Sequence, residues 1–249
     1  MKDINSVKEL KRKIRERIWN LLEQSNVARF PKPVYGRIPN FIGAEKAAQN
    51  LLRTSIWRNA KVVKVNPDSP QKPVRLNALE QGKVLIMPTP KIRSGFILLD
   101  PQRIPKQLIR RASTIRGAFF LGVIYDKEKI AELPRIDLIV TGSVAVDKYG
   151  TRIGKGGGYA ELEYAILREI GKVNDSTPVV TTIHDLQLLD EKLPREVHDL
   201  PVDLIITPSR RIKALQPYPK PKGIYWELID RDKIDRIPTL RWLYYMNRR

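Results

Sequence analysis

The sequence contains no cysteine. Disulfides, thiolate metal sites and a cysteine nucleophile are therefore excluded. It has only two histidines, His184 and His198. Each is followed by aspartate, but two His-Asp pairs with no third histidine make a poor metal centre, and structural roles at strand edges are expected for both. No G-x-S-x-G elbow supports a serine nucleophile. No apolar run approaches the ~20 residues needed to span a bilayer, and "MKDINSVKELKRKIRERIW" lacks an apolar signal core. A soluble, cytoplasmic protein with no membrane partner is the expectation. No internal repeat or low-complexity tract appears.

What is present is charge: 46 Lys and Arg against 27 Asp and Glu in 249 residues, a formal charge of +19. With 42% hydrophobic residues the chain can also bury a core. A protein this basic commonly meets anions such as nucleic acid, phosphorylated ligands or an acidic membrane surface. A solvated, ion-paired surface accounts for the same composition.

Strand-like and helix-like segments alternate. Ser6 to Glu9 fits a capping box, ahead of an apolar stripe at Val7, Leu10, Ile14, Ile18 and Leu21, with Lys11 and Arg15 off it. Helices are expected at Ala44–Ile56, Val74–Gly82, Pro105–Ser113 and Tyr159–Ile170. Strands are expected at Ala60–Val65, Lys83–Pro88, within Ile136–Val146, and at Pro178–Ile183 and Val202–Pro208. Asp147 to Gly150 reads as a turn, with Arg152 opening a return segment. This order predicts an α/β fold: a single Rossmann-like domain over residues 1–249, with a mostly parallel sheet flanked by helices. Residues 209–249 are a candidate docked basic extension. From residue 207 onward there are eleven basic and four acidic residues, interleaved with aromatics such as Tyr218, Trp226, Trp242 and Tyr244. Such interleaving can bind single-stranded nucleic acid. Without an RNP motif, aromatics docked on the domain are favoured and RNA is an alternative partner only.

The most informative stretch is "RIGKGGGYAELEYAIL", Arg152 to Leu167. Gly154, Gly156, Gly157 and Gly158, with Lys155 among them, open directly into a helix. Glycines let a ligand approach backbone N–H groups, and a helix start adds free donors and a positive dipole end. Together these favour phosphate. Arg152 and Lys155 offer charge, and Glu161 offers a carboxylate for hydrated Mg²⁺. The pattern is neither a Walker A loop nor G-x-G-x-x-G. A flexible hairpin arm ending at a helix is the bland alternative, with Glu161 an ordinary first-turn acid.

"DLIVTGSVAVDKYGTRIGKGGGYAELEYAIL", "KRKIR" (Lys11–Arg15) and "LPREVHDLPVDLIITP" (Leu193–Pro208) together resemble the signatures of the 5-formyltetrahydrofolate cyclo-ligase family, the 5,10-methenyltetrahydrofolate synthetases. The resemblance runs from about Lys8 to Pro208. "FPKPVYGRIPNFIGAEKAA", "LIMPTPKIRSG" and "PKPKGIYW" resemble its divergent methenyltetrahydrofolate synthetase domain-containing branch. The resemblance implies an ATP- and Mg²⁺-dependent enzyme. It phosphorylates the formyl oxygen of 5-formyltetrahydrofolate and closes the ring to 5,10-methenyltetrahydrofolate, giving ADP and phosphate. It implies ATP phosphates on Lys11, Arg15 and the loop Gly154–Gly158, Arg152 and Tyr159 at the reacting centre, and Glu161 where the family has a metal-binding aspartate. The sequence departs from the pattern at Ala160, in place of a second tyrosine, and at Thr141, in place of proline. Gln71–Arg75 lies where active members carry a pterin-contacting glutamate, and it has no carboxylate. A non-catalytic or repurposed nucleotide- or RNA-binding protein on the same fold is the alternative to the cyclo-ligase.

Overall fold

The computed structural model describes residues 4–215 and 218–246. The strands are β1 (Val62–Val65), β2 (Val84–Pro88), β3 (Phe96–Leu99), β4 (Val123–Tyr125), β5 (Leu138–Thr141), β6 (Ala145–Asp147), β7 (Arg152–Ile153), β8 (Val179–Thr182), β9 (Leu188–Leu189), β10 (Leu204–Ile206) and β11 (Arg211–Lys213). The α-helices are α1 (Ile4–Gln24), α2 (Ala44–Leu52), α3 (Ser55–Asn59), α4 (Lys72–Glu80), α5 (Ile109–Ala112), α6 (Ile115–Leu121), α7 (Tyr159–Glu169), α8 (Arg231–Arg236) and α9 (Pro238–Met246).

The main sheet has the order β11-β10-β8-β5-β1-β2-β3-β4. Its centre, from β10 to β2, is parallel, while β3, β4 and β11 pair antiparallel at the two edges. The predicted α/β class with a mostly parallel sheet between helices is what forms. Central strands covered on both faces are apolar throughout, and here alternation decides which face each residue serves. Val63, Val65, Leu85, Met87, Leu138 and Val140 bury with α2 and α4. Ile86, Ile139, Val179 and Ile205 bury on the other side with α7, α8 and α9.

Several expectations need correction. The Ile136–Val146 segment contains two strands rather than one, because β5 joins the main sheet and β6 a small one of order β7-β6-β9. The helix expected to reach Ile56 stops at Leu52, and α3 starts afresh under a Thr54 cap that accepts from Trp57 N–H at 3.2 Å. Residues 105–113 hold a 3-10 turn and only the short α5. The antiparallel strands β3 and β4, and helix α6, were not expected.

Helix α1 already runs from Ile4, so Ser6 lies inside it and is not its cap. Its inward face also differs from the expected stripe. Leu10 is exposed, while Lys11, Ile18 and Leu22 are buried and Arg15 is half-buried. The apolar end of that face packs on the small sheet through Val144, Ala145 and Ile153. The other end has polar partners, so its inward positions hold cations.

Residues beyond 208 are tied to the same core. Ile234, Ile237, Leu240 and Leu243 share a buried cluster with α7, and Trp226 meets Tyr244 edge-on at 5.3 Å. Among the described residues, no helix is long and apolar enough to cross a membrane. Leu240 is fully buried and Tyr245 is 52% exposed. Leu240→Ala is expected to cost about 2–5 kcal/mol and Tyr245→Ala less than about 0.5 kcal/mol, as read by urea denaturation.

Candidate functional site

A cleft of about 830 Å³ opens at the carboxyl ends of the parallel strands. It lies where β1 runs into Asn66 and Asp68, β2 into Thr89 and β5 into Gly142. This is the usual ligand position in such sheets. A second hollow of about 780 Å³, at the amino ends near Ala60, Asp137 and Pro178, gathers none of the predicted site residues.

The glycine loop forms one wall of the first cleft, between β7 and α7. Gly156 has φ +102° and Gly158, the residue before α7, has φ +65°. Both conformations suit glycine and resist side chains. Among the described residues, no protein acceptor takes the backbone N–H of residues 155 to 158. Four consecutive free donors therefore lead into the positive end of the α7 dipole.

The cations predicted from distant parts of the chain gather in this cleft. The Arg15 Nε donates to Gly154 O at 2.7 Å. Lys11, a residue only 5% exposed, donates from its ammonium to Glu196 Oε2 at 2.8 Å and Asp199 Oδ2 at 2.6 Å. Lys155 donates to Asp68 Oδ1 at 2.8 Å. Arg152 is buried and paired with Glu161, and among the described residues its Nε has no partner. Tyr159 is half-buried at the start of α7, with the Lys233 ammonium 4.9 Å above its ring. Glu196, Asp199 and His198 offer ligand atoms within 4.8 Å of one another, and the cation that Glu196 and Asp199 hold is Lys11's. His184 accepts from Leu186 N–H at 3.2 Å as a local cap.

Electrostatics separate the two acids of α7. Burial pushes the Glu161 carboxyl up, but the Arg152 charge, hydrogen bonds from the backbone and from Arg152, and the Lys11 charge together hold it below the usual carboxylate range. Glu163 is buried against Lys64, which also donates to Asn66 Oδ1 at 2.8 Å. There burial dominates the Lys64 charge and raises the carboxyl.

Gln71–Arg75 carries no carboxylate into the cleft, because the segment is structural. Gln71 is buried and donates to Thr182 Oγ1 at 3.0 Å. The buried Arg75 guanidinium donates to the carbonyls of Asn66 at 2.6 Å, Asp68 at 2.9 Å and Ser113 at 2.9 Å. Burial lowers its pKa to about 10. Those bonds fix the turn that brings Asp68 to the cleft, so a carboxylate is present just upstream of where it was sought. The sequence reading set Asp68 aside because it flanks Gln71–Arg75 without aligning, and it missed the roles of Glu196, Asp199 and Lys233. Glu196 and Asp199 lie within a quoted motif, whereas Lys233 carried no signal beyond the basic C-terminus.

The model of the 5-formyltetrahydrofolate cyclo-ligase family matches residues 7–208. The chain belongs to that family. Methenyltetrahydrofolate synthase domain-containing proteins of Bos taurus and Homo sapiens are 43% and 42% identical over 240 and 239 residues. Each alignment covers 94% of this chain and 61% of the relative, so the chain spans about three-fifths of those proteins' length. The 5-formyltetrahydrofolate cyclo-ligase of Escherichia coli strain K12 is 36% identical over 85 residues, 34% of this chain and 43% of that one. The NMR structure of Aquifex aeolicus 5,10-methenyltetrahydrofolate synthetase aligns with a TM-score of 0.50 at 21% identity, covering 89% of this chain and 98% of that one. At that identity the likeness concerns the cyclo-ligase fold alone.

Two tests follow from the charges. Glu163→Ala strands a buried Lys64 charge and is expected to cost about 3–5 kcal/mol, with most of the loss recovered in the Lys64→Met/Glu163→Leu double variant. Chemical denaturation reads both. Glu161 has a depressed folded pKa, so its stabilisation is complete above the unfolded value near 4.5 and is lost as pH falls through the folded value. The denaturation profile of Glu161→Gln is therefore expected to be shallower than wild type below that pH.

Proposed function

We propose that the chain is an ATP- and Mg²⁺-dependent 5-formyltetrahydrofolate cyclo-ligase. The observation that carries this reading is the convergence of Lys11 and Arg15 with four unpartnered loop N–H groups in one cleft. Those donors, the α7 dipole and the unpartnered Arg152 Nε fit a polyphosphate. Glu161 fits a hydrated Mg²⁺, because its carboxyl stays ionised beside Arg152.

Bound ATP with its metal supplies the phosphoryl group that turns the formyl oxygen into a leaving group. The chain's own residues position and stabilise. Loop N–H groups and Arg15 hold phosphate oxygens, and Lys155 reaches the same anion from the loop. Arg152 faces the charge that develops during transfer. Lys11, held by Glu196 and Asp199, needs little reordering to meet the anion. Asp68 supplies an acceptor for pterin N–H donors, in the role the family assigns to a glutamate. The thinner carboxylate supply and Ala160 bear on folate selectivity more than on nucleotide binding.

The test mixes protein, Mg-ATP and 5-formyltetrahydrofolate and follows the methenyl chromophore together with ADP. Chromophore and ADP in equal amounts are expected. Arg15→Ala is expected to weaken ATP binding by about tenfold or more while its melting curve stays near wild type. A wild-type protein that forms no chromophore overturns the activity, and an Arg15→Ala variant with unchanged ATP affinity removes Arg15 from the site.

A further inference from the structure

The family model ends at residue 208, but the cleft wall does not. Leu228, Asp230 and Lys233 line it as well. Relatives that align over 94% of the chain also run past that boundary. Lys233 stands on α8 beside Ile234, which is buried against the α7 side of the core. A packed helix thus aims the lysine at the loop.

Its ammonium donates to Gly157 O at 2.8 Å. Arg15, from the other end of the chain, donates to Gly154 O at 2.7 Å. The two cations hold the two ends of the glycine loop. A trans peptide is planar, so its N–H points opposite to its C=O. Fixing Gly154 O orients the N–H of Lys155, and fixing Gly157 O orients the N–H of Gly158. These are the first and last of the four free donors.

The charges differ in the same way. Lys11, Arg152 and Lys155 each face a carboxylate in direct contact. Among the described residues, no carboxylate comes within ion-pair distance of Lys233; burial lowers its pKa, and Glu161 and Asp230 oppose this only through space. Its positive charge is left for a ligand.

We propose that α8, beyond the part of the chain that the family model matches, supplies Lys233 as a positioning residue of the polyphosphate site. It clamps the glycine loop at Gly157 and adds an uncompensated cation. The inference rests on the reading of this cleft as the ATP site.

K233M and K233R test it against wild type with two readouts. Backbone order parameters of residues 155–158 are measured without ligand by ¹⁵N relaxation, and Mg-ATP binding is measured by calorimetry. K233M is expected to lower the loop order parameters and weaken ATP binding by about tenfold. K233R is expected to restore most of both, which a merely space-filling role would not require. Unchanged ATP affinity in K233M overturns the proposal, even if the melting temperature falls. Wild-type protein that binds no ATP overturns the nucleotide reading instead. In that case unchanged loop order parameters in K233M overturn the clamp as well, and lowered ones rescued by K233R uphold it.

Discussion

The position of the whole cleft depends on a lysine buried in the middle of a sheet. Lys64 lies on β1, between Val63 and Val65, so strand alternation turns it to the face opposite theirs. That face is covered by α7. An ammonium with 2% side-chain exposure is tolerable only with a paired charge and further hydrogen bonds, which Glu163 and Asn66 supply. Because Glu163 belongs to α7, the pair sets the rotation and height of that helix on the sheet. Tyr159 lies about one turn earlier, which brings the helix start, and the glycine loop before it, to the carboxyl end of β1. A buried pair of this kind adds little net stability. Its contribution here is register.

Around that start the five cations nearest the loop each have a protein partner. Three of the cleft's cations are neutralised by carboxylates, and two rest on loop carbonyls. The two arrangements do different things. A carboxylate partner fixes a long side chain in place before any ligand arrives, at the cost of an anion the ligand must work against. A carbonyl partner fixes the side chain equally well and leaves its full charge in play. It also orients the loop peptide that the ligand needs. The +19 net charge therefore says less about the site than the identity of each cation's partner.

This difference also explains what the sequence disclosed and what it withheld. Helix α7, strands β5, β8 and β10 and the glycine turn were readable because their signals are local: apolar runs, helical period and turn residues. Strands β3 and β4 were not, because four and three residues beside Gly95 and Gly122 give no period to count. The inward face of α1 was misread for a physical reason. Apolar spacing includes Leu10, but the fold buries Lys11 there because Glu196 and Asp199 wait 185 and 188 residues away. The family motifs named Lys11, Arg15 and the loop, which the fold brings to one cleft. They gave no partners, since partnership is a property of tertiary contact. The place of Asp68 was illegible for the same reason: Arg75, by binding three carbonyls, holds the turn at Asp68 beside the cleft in a way that alignment by type does not anticipate.

The C-terminal segment carries this logic furthest. Ile234 and Leu240 share one buried cluster with Ile166 of α7, Val179 of β8 and Ile205 of β10. Without them, part of the face on which α7 rests would meet water. The same segment reaches the loop through Lys233. Core and cleft are thus joined through α8: packing that seats α8 on the core also sets the reach of its lysine. A change that loosens α8 acts on the loop carbonyl without touching the loop, because the hydrogen bond at Gly157 tolerates only a few tenths of an ångström before it weakens. Residues outside the matched family segment can in this way govern a site whose recognisable motifs all lie within it.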